Sequence, residues 1–292
     1  MKIEEYDGFK IYIENVEEEK HFDVIENILK YNNEIFFANF SDHEYITDKG
    51  YVVQYAATDT KSFAYPYTSD FGINDFEYKD KFKSDFCFIG GRTSPVRELV
   101  LRRIKEYSDK IKISEYIYDG YFNIKHGEYG NSRIKDFKDE ISNAKFSLCP
   151  RGYGIQSIRF FETLSLNTIP IYIGDCKTKF PLDWLIDWDE ISFRFNQDLV
   201  NERYFLDFIE KIMNLDISEI NKKRERISEI YKEFLYVFDD VPVLLRKLNK
   251  RYSNDFIDIS RTKYINRIID YLNNKNKIKL IDGGEKCLKK II

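Results

Sequence analysis

The residues best suited to chemistry lie in one short stretch, RGYGIQSIRFFE, which runs from Arg151 to Glu162. A guanidinium such as that of Arg151 and the backbone N–H groups of a glycine turn both donate hydrogen bonds to phosphate oxygens. A carboxylate such as Glu162 can accept hydrogen bonds from ribose hydroxyls. One turn and the helix after it therefore carry the groups that a nucleotide diphosphate requires.

The local pattern also permits a purely structural interpretation. Arg159 and Glu162 are three residues apart and could pair on a helix surface, where an ion pair contributes about 0–1 kcal/mol. Gly152 and Gly154 could serve only to make the turn. The turn is not the G-x-G-x-x-G fingerprint, so a classical NAD site is weakly supported, and its arginine suits a diphosphate leaving group better.

A predicted βαβ unit positions these groups. The apolar run 145–149 and the β-rich run 169–175 flank a breaker cluster, PRGYG, and a helical pattern over 155–166. Such a unit places a helix N-terminus at the carboxyl edge of a parallel sheet, where a phosphate can bind. Asp175, at the end of the second strand, could contact a ligand or cap the next turn.

A second strand-glycine-helix unit precedes the first. DFCFIGG at 85–91 predicts a buried strand, and Ser94 and Pro95 then occupy the N-cap and the first helical position. Arg92 and Arg97 follow this glycine turn and could reach the same phosphates or lie on the helix surface. Because strands alternate with helices from 85 to 195, we expect a doubly wound α/β lobe.

The rest of the chain indicates its division. Strand patterns at 9–13, 34–40 and 51–57 predict a small first lobe over 1–80, followed by an α/β lobe over 81–245 and a helical tail over 246–292. The last helix, 254–274, could pack back on the first lobe.

Composition limits the function classes. A net charge of -4 gives no support for nucleic-acid binding through a basic surface. The four cysteines are widely spaced, which predicts free thiols. No apolar run approaches the ~20 residues of a membrane span, and the first ten residues are too polar for a signal peptide. We therefore expect a soluble cytoplasmic protein with no transmembrane segment.

The chemistry-bearing stretch also carries a family resemblance. FSLCPRGYGIQSIRFFETLSLNTIPIYIGD resembles the signature of the exostosin-like glycosyltransferases, glycosyltransferase family 47, in its Leu-Cys-Pro-Arg-Gly run, its Ser-x-Arg-Phe-x-Glu helix and its Ile-Pro strand. FIGGRTSPVRELVL and PLDWLIDWDEISFRF are similar to the family's upstream and downstream segments. The resemblance covers about residues 80 to 200.

The resemblance implies a GT-B arrangement, in which two Rossmann-like lobes face each other and the second binds a nucleotide sugar. The N-terminal lobe, on the acceptor side, would be reduced. The resemblance places the donor's ribose at Glu162, with Arg159 either near the phosphates or a strut to Glu162. It places the diphosphate at Arg151, at the backbone of Gly152, Tyr153 and Gly154 and near Ser157, and Arg92 and Arg97 remain residues that could reach the same phosphates.

The implied reaction moves a sugar, expected from a uridine diphosphate donor, to a glycan hydroxyl with inversion. GT-B members generally need no metal, and the three histidines are not spaced as ligands, so we expect no metal or other cofactor. Inversion needs a base, for which the weak candidates are Asp70, Asp59 and His126, with Glu44, His43, Asp119 and Glu128 behind them. The short first lobe leaves an alternative, a catalytically degenerate protein that binds a nucleotide sugar or glycan.

Overall fold

The computed structural model describes residues 2–6, 9–13, 35–39, 51–55, 57–59, 61–67, 74–107, 109–118, 136–236, 264, 267, 268 and 270–272. The chain forms two compact units. Unit 1 comprises Met1–Pro66, Lys177–Ile186 and Phe234–Ile292, and unit 2 comprises Tyr67–Cys176 and Asp187–Glu233.

Unit 1 contains a five-stranded sheet in the order β1-β2-β3-β4-β5. Its strands are β1 (Lys2–Tyr6), β2 (Phe9–Ile13), β3 (Ile35–Asn39), β4 (Tyr51–Gln54) and β5 (Ser62–Ala64). The first pair is antiparallel and the others are parallel. The strand patterns at 9–13, 34–40 and 51–57 are thus confirmed, whereas β1 was not predicted. Tyr6 pairs with Phe9, and the intervening Asp-Gly is a strong hairpin signal.

Segments distant in sequence complete unit 1. The amide of Lys179 donates to the carbonyl of Ala57, 2.8 Å away. From the helical residues near the C-terminus, the Tyr264 hydroxyl donates to the carbonyl of Ala64 at 2.7 Å. The ring of Tyr271 stacks on Trp184 with centroids 4.4 Å apart. The first lobe is therefore not built from N-terminal residues alone.

Unit 2 contains a second five-stranded sheet in which all strands are parallel. The strands are β6 (Ser84–Gly91), β7 (Ile113–Tyr118), β8 (Ala144–Pro150), β9 (Ile169–Gly174) and β10 (Phe193–Asn196). Almost every residue of β6, β8 and β9 is buried, as expected for strands covered on both faces. The predicted α/β class with two Rossmann-like lobes is confirmed.

Helices connect the strands of unit 2. They are α1 (Pro95–Lys105), α2 (described over 136–142), α3 (Ile158–Ser165), α4 (Trp188–Ile191), α5 (Arg203–Met213) and α6 (Ile217–Ile230). Phe137 and Ile141 of α2 are buried in a core cluster with Cys87 and Ile89 of β6. No helix within the described residues is long and apolar enough to span a membrane.

The order of the second sheet, β10-β9-β8-β6-β7, fixes where a ligand can bind. After β6 the chain proceeds to β7 on one side, whereas after β8 it proceeds to β9 on the other side. The connections therefore diverge between β6 and β8. In open α/β sheets, ligands bind outside the carboxyl ends of the strands at such a switch point.

Three local predictions need correction. The run ISFRF predicts a strand over 191–195, but Ile191 is the last residue of the short helix α4, which Asp187 caps, and β10 starts at Phe193. The helix expected from 155 begins at Ile158, because the backbone of Ser157 is extended. The charges of the run KKRER at 222–226 predict a solvated helix face, yet Arg224 within it is only 2% exposed.

The expected ranges 1–80, 81–245 and 246–292 also differ from the observed units. Residues 74–80 belong with unit 2 because their backbone is bound there. The amide of Asn74 donates to the carbonyl of Ser165, and the amide of Lys79 donates to Oδ1 of Asn221.

Candidate functional site

The turn between β8 and α3, residues 151–157, lies at the switch point and is tied to both neighbouring strands. The amide of Arg151 donates to the carbonyl of Ile173 on β9, 2.8 Å away. The Ser94 hydroxyl donates to the carbonyl of Arg151 at 2.8 Å. Ser94 also caps α1 by accepting from the amide of Arg97. The predicted N-cap residue therefore connects the turns after β6 and β8.

Arg97 lies beneath this turn. Its Nη1 donates to the carbonyl of Gly91 at 2.9 Å, and its Nε donates to the carbonyl of Pro150 at 3.3 Å. A Cβ on Gly152 would lie 2.9 Å from Nη2 of Arg97. The Arg97 side chain thus joins the carboxyl ends of β6 and β8, and Gly152 provides the space for it. These contacts favour a role for Arg97 in positioning the turn rather than in binding phosphate. The side chain of Arg92, the other arginine predicted to reach the phosphates, is exposed.

Two buried polar atoms at the ends of the turn stand out. The Nε of Arg151 and the Oγ of Ser157 have no hydrogen-bond partner among the described residues. Ser157, the N-cap residue of α3, is 2% exposed, and its side chain makes no capping bond. Leaving a buried donor unsatisfied costs about 1–3 kcal/mol, so both groups are suited to a polar ligand. The helix N-terminus beside them favours negative charge.

Arg159 and Glu162 form an ion pair on α3, with Nη1 and Oε2 2.7 Å apart. The two groups interact as an ion pair without a hydrogen bond, because the two atoms are not oriented for one. Arg159 also donates from Nε to the carbonyl of Ile89 at 3.0 Å, and its guanidinium lies over the Phe137 ring, 3.8 Å from the centroid. These contacts match the strut interpretation of Arg159. The pair is nearly buried, whereas the purely structural interpretation placed it on the exposed surface of the helix.

Tyr153 is the most exposed member of the turn, at 63%. The structure brings the predicted diphosphate residues of the turn and of α3 together at one edge of the sheet, and Arg97 lies with them. Sequence reasoning missed Tyr172 of β9, whose hydroxyl donates to the carbonyl of Ile155 within the turn.

Of the base candidates, Asp59 is the one that lies among the described residues, in unit 1. Asp59 accepts a hydrogen bond from the amide of Lys61 at 2.9 Å in the connection between β4 and β5. Asp70 and His126 lie outside the described residues, as do Glu44, His43, Asp119 and Glu128. The catalytic base stays unassigned.

One Asp-x-Asp triplet, Asp187–Asp189, has a carboxylate spacing that can hold a divalent cation, and it lies at the start of α4. Asp187 caps this helix by accepting from the amide of Asp189, and Asp189 accepts from Nη2 of Arg194 at 2.8 Å. No group of three or more His, Cys, Asp or Glu residues in the described part of the chain could hold a metal ion. Metal independence stays a prediction.

Comparisons with known proteins found relatives that match part of this chain. An "Exostosin-1 homolog" of Caenorhabditis elegans is 28% identical over 120 residues, which cover 41% of this chain and 30% of that protein. A "Probable glucuronosyltransferase" of Oryza sativa subsp. japonica is 28% identical over 107 residues, covering 35% and 24% of the two chains. The chain thus spans less than a third of the length of these relatives.

A solved structure of sucrose-phosphate synthase from Thermosynechococcus elongatus aligns with 80% of this chain and 62% of that chain, at 11% identity and a TM-score of 0.45. The family model of the Exostosin GT47 domain matches residues 57–212, just over half of the 292 residues. This range contains the turn after β8 and helix α3. The chain therefore belongs to the Exostosin GT47 domain family.

Proposed function

We propose that the turn 151–157 binds the diphosphate of a nucleotide sugar and that the enzyme moves the sugar to a glycan hydroxyl. The observation that carries this proposal is the pair of buried polar atoms, Nε of Arg151 and Oγ of Ser157, which have no protein partner in the described structure. They lie at the two ends of a turn that opens at the switch point of the sheet.

The chemistry follows from the charge that develops in the transition state. Sugar transfer passes through an oxocarbenium-like state while negative charge grows on the departing diphosphate. Arg151 and the N-terminus of α3 supply fixed positive charge and dipoles to that leaving group, which lowers the barrier. In the proposed complex, Glu162 accepts hydrogen bonds from the ribose, and Arg159 holds its carboxylate in place.

The proposed donor is a uridine diphosphate sugar, used with inversion and without a metal. The donor, the inversion and the metal independence all rest on the family resemblance. Residence in the cytoplasm likewise stays a proposal based on composition.

Calorimetric titration with UDP, GDP and NAD, followed by transfer assays with a panel of nucleotide sugars, tests the proposal. We expect saturable binding of UDP. Arg151→Ala should reduce turnover by about 100-fold or more, the typical effect of removing a donor from a developing negative charge. Arg203→Ala is the matched control, because that side chain is 89% exposed at the start of α5.

Binding of NAD alone, or wild-type kinetics in Arg151→Ala, would contradict the proposal. Saturable UDP binding without turnover of any donor would instead support the degenerate alternative.

A further inference from the structure

Tyr172 of β9 reaches from the sheet into the turn after β8. Its hydroxyl donates to the carbonyl of Ile155 at 2.6 Å, and the residue is only 3% exposed. Its ring packs edge-on against Phe160 of α3, with centroids 6.2 Å apart and planes at 90°. The ring is therefore held between the strand and the helix that the turn connects.

Gly174 makes this position of the ring possible. Residues two apart on a strand share one face of the sheet, so Tyr172 and Gly174 point to the same side of β9. A Cβ at position 174 would lie 2.1 Å from the Tyr172 hydroxyl oxygen and 2.3 Å from Cζ. Any other residue at 174 would displace the ring, so Tyr172 and Gly174 act as a matched pair.

Strand β9 consequently binds the turn at two points. The carbonyl of Ile173 accepts from the amide of Arg151, where the turn begins. The Tyr172 hydroxyl then holds the carbonyl of Ile155, four residues further along. From the other side, Ser94 binds the carbonyl of Arg151. Between these anchors lie the two glycines and Tyr153.

A turn that stabilises a diphosphate must hold its donors in place before the ligand arrives, because reorganisation during binding would consume part of the interaction energy. We infer that Tyr172 is a positioning residue for glycosyl transfer: its hydroxyl fixes the conformation of the turn 151–157 without touching the substrate. This inference rests on the proposed diphosphate site.

Tyr172→Phe removes only the hydroxyl and leaves the packing of the ring. Tyr264→Phe is the matched control, because that buried tyrosine makes an equivalent bond, 2.7 Å to the carbonyl of Ala64, in unit 1. Both variants should lower the melting temperature by a similar amount. Only Tyr172→Phe should weaken UDP binding, by about 3- to 10-fold, as expected for one lost hydrogen bond.

Two further readouts separate positioning from a general loss of stability. Amide hydrogen exchange, followed by mass spectrometry, should accelerate in a peptide covering 151–158 in Tyr172→Phe and stay unchanged there in Tyr264→Phe. In steady-state kinetics, Tyr172→Phe should raise KM for the donor more than it lowers kcat. Gly174→Ala, which displaces the ring, should produce the same two effects in stronger form.

Unchanged exchange in 151–158, or UDP affinity equal to that of the wild type in Tyr172→Phe, would overturn the inference while the proposed function stands. If Arg151→Ala also bound UDP like the wild type, the proposed site would fail and the inference with it. Arg151→Ala thus distinguishes the two failures.

Discussion

Nη1 of Arg159 and Oε2 of Glu162 lie 2.7 Å apart, and their side chains are only 11% and 17% exposed. Nε of Arg159 also donates to the carbonyl of Ile89, and the guanidinium lies over the ring of Phe137. Arg159 therefore cannot turn toward a ligand without breaking these contacts. Its positive charge instead attracts the Glu162 carboxylate.

This arrangement predicts coupling between the two residues in donor binding. Arg159→Ala and Glu162→Ala should each weaken UDP binding by about tenfold, the loss that 1.4 kcal/mol represents. Because Arg159 acts through Glu162, the double variant should bind little worse than either single variant. Calorimetry on the four proteins of the double-mutant cycle measures the coupling.

Arg159→Lys provides a second check. Lysine keeps the charge but lacks the planar fork that contacts a carbonyl, a carboxylate and an aromatic face together, so it should rescue UDP binding only in part. Additive effects to within about 0.5 kcal/mol would mean that the residues act independently.

Arg224 of α6 holds residues 74–83 of unit 2 in place. Its Nε donates to the carbonyl of Asn167 at 2.9 Å, and its Nη1 donates to the carbonyl of Glu77 and to Oδ1 of Asn221, each at 3.0 Å. Burial lowers the pKa of Arg224 to about 10. Arg224→Met would leave these acceptors without this donor, so we expect a loss of about 2–4 kcal/mol in the free energy of unfolding.

Arg226→Met is the matched control on the same helix. Arg226 forms exposed ion pairs with Glu190 and Glu229, which contribute about 0–1 kcal/mol. Urea denaturation of both variants measures the difference. Equal losses would show that the contacts of Arg224 do not stabilise unit 2.

The positions of β6, β8 and β9 were predictable because buried parallel strands are continuous apolar runs. The N-cap at Ser94 and the βαβ unit around Arg151 followed from equally local signals. Arg224 was not predictable, because nothing within KKRER distinguishes it from its neighbours. Its burial depends on carbonyls at Glu77 and Asn167, which are distant in sequence.

The candidate site was predictable in its residue types and less so in its contacts. Arg97 was a candidate for phosphate binding, yet it donates to carbonyls at the ends of β6 and β8. The pairing of Tyr172 with Gly174 depends on which face of β9 meets the turn. Such contacts arise only once strands from separate parts of the chain are neighbours in a sheet.

Substitution of Ser157 by alanine should weaken ligand binding without reducing the stability of the protein. Its buried hydroxyl has no partner among the described residues, so Ser157→Ala removes an unsatisfied group at no cost in protein hydrogen bonds. We expect a free energy of unfolding equal to or slightly above that of the wild type. UDP affinity should fall by about 3- to 10-fold, because the ligand loses one hydrogen bond.

Ser192→Ala is the comparison for Ser157→Ala. The Ser192 hydroxyl is buried and donates to the carbonyl of Trp188 at 2.6 Å. This variant should lose about 1 kcal/mol of stability and keep its UDP affinity. A destabilised Ser157→Ala protein with unchanged UDP affinity would show that the hydroxyl serves the fold and not the ligand.

Because of Cys87, the free energy of unfolding should decrease as the pH rises into the alkaline range. Burial in the core beside Ile89 and Ile141 raises the pKa of its thiol from 9.0 to about 12. The unfolded chain therefore releases this proton at lower pH than the folded chain. The resulting contribution to stability is complete below about pH 9 and is lost as the pH rises toward 12.

Cys87→Ala should flatten this dependence. The variant should be less stable at pH 7, by about 1 kcal/mol for the lost packing. Its free energy of unfolding should nevertheless decline less steeply between about pH 8.5 and 10.5, where the thiol of the unfolded chain loses its proton and that of the folded chain keeps it. Urea denaturation across this range gives both quantities, with Cys176→Ala as the control because that thiol is exposed. Because Cys149 is also buried and its pKa is raised to about 11, some dependence should persist in Cys87→Ala. A decline as steep as that of the wild type would show that the Cys87 thiol does not titrate differently in the folded and unfolded states.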